Sequence, residues 1–129
     1  MDKSDILKGF NNQFEEFLED VEILFPSNGE IKKTKTALLM LRKANPKMII
    51  NTWYRYVCEK YESEINNENI EYFLEKDYSD DLQKNPNASQ VLQGIDKIRA
   101  PLRDLDEDNK KQCLQYLKNL NQLSKIYNN

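Results

Sequence analysis

Large apolar side chains recur every three or four residues through the start of the chain: Ile6, Leu7, Phe10, Phe14, Phe17, Leu18, Val21, Leu24 and Phe25. That is the helical repeat, and it predicts one helix carrying a phenylalanine-rich stripe. Ser4 is placed to accept a hydrogen bond from the first turn. Pro26 with Ser27-Asn28-Gly29 ends the helix, because proline disfavours helical backbone in the residue before it. After a tight turn around Gly29, a second helix is expected from about Glu30 to Ala44, with Ile31, Leu38 and Leu41 inward. Asn45 suits the cap of a third helix and Pro46 its first position, where the missing N–H costs nothing. That helix carries Ile49, Ile50, Trp53, Val57 and Tyr61 on the side facing the phenylalanine stripe.

The pattern weakens between Glu62 and Pro86. Ile65, Ile70, Phe73 and Leu74 suggest one or two short helices, with turns at Asn66-Asn67 and from Asp77 to Asp81. Val91, Leu92, Ile95 and Ile98 make a further helix that Pro101 closes, although Gly94 inside it costs about 1 kcal/mol relative to alanine. A last helix is expected from near Asp104, with Asp104 and Glu107 as a capping box, and with Cys113, Tyr116, Leu117, Leu120, Leu123 and Tyr127 along it. No stretch alternates with period two for long enough to make a strand. The expected architecture is all-α, a single compact helical domain of five or six helices spanning residues 1–129.

Composition narrows the chemistry. Among 129 residues there is no histidine, which removes imidazole-dependent nucleophile pairs, histidine general bases and the metal sites that need an imidazole ligand. Cys58 and Cys113 lie over fifty residues apart inside apolar helical patterns, so buried free thiols are expected and not a metal or redox pair. The longest apolar run, Ala37 to Leu41, is far short of the ~20 residues that span a bilayer. The acidic start has no apolar region after it, as a secretory signal would, so a soluble, reducing compartment is expected.

Charge is sorted by segment. Residues 1–30 carry 2 basic and 8 acidic groups, and residues 31–58 carry 7 and 0. Residues 59–81 carry 2 and 9, and residues 82–129 carry 8 and 5. The basic block is Lys32, Lys33, Lys35, Arg42, Lys43, Lys47 and Arg55. Interleaved with Trp53, Tyr54 and Tyr56, it is the closest approach to a nucleic-acid footprint, with cations for phosphates and aromatics for bases. Acidic neighbours and the net charge of −3 favour a partly neutralised solvated face instead.

Other constellations have plainer readings. Glu15, Glu16, Glu19, Asp20 and Glu22 alternate with the buried stripe and read as a solvated face, not as a cation site or an acid pair. Asp104, Asp106 and Asp108 begin like a calcium loop, but Asn109 stands at the glycine position and Gln115 at the closing glutamate; helix capping explains them. Asp77, Ser79 and Asp81 make a poorer copy, read as a turn. Asn87-Ala88-Ser89 spells a glycosylation sequon that a cytosolic chain would not use. Gly9, Gly29 and Gly94 are too dispersed for a phosphate-cradling loop. No cofactor is implied.

A longer pattern runs from Phe10 to Tyr78. It comprises Phe10-Asn11-Asn12-Gln13-Phe14, Phe17, Asp20, Phe25-Pro26, Lys35, Lys43-Ala44-Asn45-Pro46-Lys47, Trp53, Tyr61, Ile65, Ile70, Phe73-Leu74 and Lys76-Asp77-Tyr78. This resembles a family of small helical proteins encoded by nucleocytoplasmic large DNA viruses of algae and amoebae. Fifteen asparagines and fifteen lysines against four arginines and three glycines suit an AT-rich genome. The family has no assigned activity, so the resemblance carries over no catalytic or binding residue, and residues 82–129 lie outside it as a more variable part. It implies a virus-encoded protein of the host cytoplasm or the virion. With no chemistry-bearing set in the sequence, the expectation is a non-enzymatic structural or adaptor protein. Its partner would be a second copy, a capsid protein or a host factor, with no membrane association; a nucleic-acid accessory using residues 32–55 is the alternative.

Overall fold

The computed structural model describes residues 2–66, 69–75 and 86–129, and these fold as an all-α domain. In chain order the elements are α1 (Lys3–Leu24), α2 (Gly29–Ala44), α3 (Met48–Trp53), a π-helical turn (Tyr54–Cys58), α4 (Glu59–Asn66), α5 (Ile70–Glu75), α6 (Pro86–Leu102) and α7 (Glu107–Tyr127). The stretch from α3 through the π turn to α4 is one continuous rod, which leaves six helical rods among the described residues. Of the turn expected at Asn66-Asn67, Asn66 is the last residue of α4, while Asn67 and the turn expected from Asp77 to Asp81 lie outside the described residues.

Each boundary has a local cause. Asp2, not Ser4, caps α1: its carboxylate accepts from the Asp5 N–H at 2.9 Å, which places Ser4 inside the helix. Asn28 caps α2 by accepting from the N–H groups of Glu30 and Ile31, so Gly29 is the first helical residue and the turn itself is Pro26-Ser27. Asn45 accepts from the Lys47 N–H at 3.2 Å, but regular helix begins only at Met48, after a tight turn through Pro46 and Lys47. Asp106 caps α7, its carboxylate accepting from Asn109 N–H at 2.8 Å; the helix therefore starts two residues later than a cap at Asp104 would set it. Pro101 does not close α6 but sits in its last turn, and the helix ends one residue further on, at Leu102. The carbonyls of Phe73 and Leu74, at the end of α5, accept from Arg99 of α6 and from Arg103 just past its end, cations where a helix C-terminus favours them.

Trp53 stands at the centre, fully buried. Phe10 and Phe14 meet its ring edge-on at 6.4 and 6.2 Å, and Phe73 lies 6.1 Å away. Its indole N–H donates to Asn121 Oδ1 at 2.7 Å, pinning the α3 rod to α7; a buried indole keeps its partner because an unmet donor there is costly. The π turn is marked by the Glu59 N–H bonding back five residues to the Tyr54 carbonyl. It widens the buried face so that consecutive Tyr56, Val57 and Cys58 are all covered, and the Cys58 thiol donates to the Asn121 carbonyl at 3.5 Å. This face is broader than the single stripe of Ile49, Ile50, Trp53, Val57 and Tyr61 that the spacing predicts, of which the Tyr61 side chain lies outside what is described. Both cysteines are free and buried, and burial pushes the Cys113 thiol up to about 11.

Candidate protein-contact site

Helix α2 has two flanks that differ in kind. Towards α1 it presents Lys35 and Arg42. Lys35 pairs with Glu22 at 3.5 Å and Arg42 with Glu15 at 3.2 Å, and Arg42 also donates to the Asn11 carbonyl at 3.1 Å. Asn11 in turn donates to the Pro46 carbonyl at 3.2 Å. Glu15 and Glu22 are thus partly covered partners of α2, a correction to the wholly solvated acidic face; Glu16 and Glu19 stay exposed.

The basic block is therefore divided. Lys35 and Arg42 are consumed in the α1–α2 seam. Arg55, on the π turn, lies over the Tyr56 ring at 5.8 Å. Lys32, Lys33, Lys43 and Lys47 are exposed and enter no ion pair among the described residues. Trp53 is buried and hydrogen-bonded, so it offers no stacking surface.

The other flank of α2 faces α6 across a groove of about 640 Å³. Its floor is the point where the two helices come closest. A Cβ at Gly94 would fall 2.8 Å from Leu38 Cδ2 and 3.0 Å from its Cγ, so only glycine leaves room for the buried leucine. Gly94 is thus a packing device as well as a weak spot in helix propensity. Away from that point the facing side chains, Thr34 and Ala37, are too short to fill the space between the helices. Met40 and Leu41 form a wall, Gln90 and Gln93 line α6, and Lys33, Lys97 and Glu30 stand at the rim. Lys97 pairs with Glu30 at 3.2 Å, while Met40 is 67% exposed.

Only Lys33 of the basic block reaches this groove; the sequence assigns Met40, Ala37, Gly94 and Gln93 no expected role in a site. One signal was present: Ala37 to Leu41 is apolar at five consecutive positions, more than one buried stripe of a helix can cover. Among the described residues no cluster of three metal-ligating side chains occurs, and no helix is long and apolar enough to cross a membrane. Set against known proteins, the chain matches no family model, no curated protein and no solved structure.

Proposed function

We propose that the protein is a non-enzymatic adaptor or structural component that works through a protein contact in the α2–α6 groove. The observation that carries this reading is the groove itself: an apolar trough with an exposed methionine wall and the exposed Lys33 at its rim. Such a surface buries apolar area on binding while the rim charges select the partner. The resemblance of residues 10–78 to the proteins of large DNA viruses adds the setting, the host cytoplasm or the virion. The partner would then be a second copy, a capsid protein or a host factor.

A nucleic-acid accessory is the second reading, supported by the four unpaired lysines of α2 and its following turn. It lacks an aromatic platform at Trp53, and the other three members of the block, Lys35, Arg42 and Arg55, are spent in ion pairs and a ring contact. A photo-cross-linking amino acid placed at position 40, with a control at exposed Lys111, separates the two. The protein-contact reading expects a discrete protein adduct through position 40 and none through 111. Adducts to nucleic acid, or no adduct at position 40, would overturn it.

A further inference from the structure

Among the described residues four large hydrophobic ones are exposed: Ile23, Met40, Tyr72 and Ile126. Their charged surroundings separate them into two groups. Beside Tyr72, Glu71 pairs with Lys110 and Glu75 with Arg103; beside Ile126, Lys125 pairs with Glu62. Those charges are neutralised within the molecule. Ile23, 73% exposed, shares an outward stripe of α1 with Glu19 and Glu16, at helical spacings of four and seven residues, and neither carboxylate enters an ion pair among the described residues. Met40 shares its stripe with Lys33 and Lys43, which are likewise unpaired.

Resting on the protein-contact reading above, we propose that the groove receives the Ile23 stripe of α1 from a second copy of this chain. The two surfaces are complementary in both sign and spacing. Ile23 follows Glu16 by seven residues and Met40 follows Lys33 by seven, about 10 Å along each helix. Parallel docking that sets Ile23 beside Met40 therefore sets Glu16 opposite Lys33. One molecule cannot make this contact with itself, because α1 packs on the opposite flank of α2 through Glu15 and Glu22. The contact is head-to-tail: each copy offers a knob and a groove, so association extends into rows unless the rotation closes a ring.

The test uses the full chain and two substitutions at exposed positions, Ile23→Glu and Met40→Glu. Ile23→Glu spoils the knob and keeps the groove; Met40→Glu spoils the groove and keeps the knob. Light scattering during size-exclusion chromatography should show the wild type growing beyond one chain with concentration and shrinking in high salt, where surface charge is screened. Each variant alone should stay at one chain, and their mixture should form a complex of two chains that grows no further. Glu16→Lys should weaken association and the double variant Glu16→Lys with Lys33→Glu should restore it. A wild type that stays at one chain, or a mixture that forms no complex, overturns the proposal. If a different protein is nonetheless cross-linked through position 40, the adaptor reading survives without self-assembly.

Discussion

Two helix pairs, α1 with α7 and α2 with α6, show how the same fold can be sealed on one side and left open on another. The α1–α7 seam is the most extensive among the described residues and is filled by long side chains. Phe17 packs on Tyr116 with ring centroids 5.5 Å apart. The Tyr116 hydroxyl donates to Asp20 at 2.6 Å, Gln112 donates to the same carboxylate, and Asn119 donates to Gln13 at 2.8 Å. Between α2 and α6 the helices touch through Gly94 and Leu38, and the flanking Thr34 and Ala37 are too small to close the space. Side-chain size at the flanks, more than the presence of a core beneath, decides whether a seam is interior or available surface.

The largest effect should come from the core that both seams share. Trp53→Ala removes the ring packed by Phe10, Phe14 and Phe73 and leaves Asn121 without its indole partner, so chemical denaturation should show a loss of about 3–5 kcal/mol. Loss of less than half of that would mean the two seams do not depend on a common centre.

Next is the closed point of the open seam. Gly94→Val gains helix propensity but drives two methyl groups into Leu38, and we expect a net loss of about 1–3 kcal/mol. A neutral or stabilised variant would show that the close approach is not what holds α2 and α6 together.

Smaller again is the polar part of the sealed seam. Tyr116→Phe deletes the bond to Asp20, and since that carboxylate is part-exposed the cost should be about 1 kcal/mol. It also bears on alkaline stability. Burial raises the Cys113 thiol to about 11 from its ordinary 9, and burial with the neighbouring Asp20 holds the Tyr116 hydroxyl above its usual range. The unfolded chain therefore loses these protons first, so their stabilisation is full at neutral pH and is lost as pH rises past about 9. Urea midpoints should fall between pH 8 and pH 10.5, less steeply in Tyr116→Phe; equal slopes would exclude Tyr116 as a contributor.

The helices were legible because their apolar repeats are long. Phe10, Phe14, Phe17, Val21, Leu117 and Leu120 are buried as their spacing implies. Caps shifted by two residues at Ser4 and Asp104, because Asp2 and Asp106 stand equally well placed and local spacing does not choose between them. Ile23 broke the α1 stripe, and the π turn has no periodic signature of its own. The groove was hidden for a different reason: it depends on a glycine in α6 lying against a leucine in α2, a pairing more than fifty residues long-range. The basic block was visible as a run, but a run in sequence spreads around a helix, and the ion pairs to Glu15 and Glu22 that divide it are tertiary.

As a contact surface, the α2–α6 groove would be laid over the core and separable from it. Met40→Glu, compared with wild type for both unfolding free energy and solution mass, tests this most directly. Unfolding should stay within about 0.5 kcal/mol of wild type, as for other exposed positions, while association through the groove is lost. A stability loss comparable to that of Gly94→Val, or association equal to wild type, would contradict it.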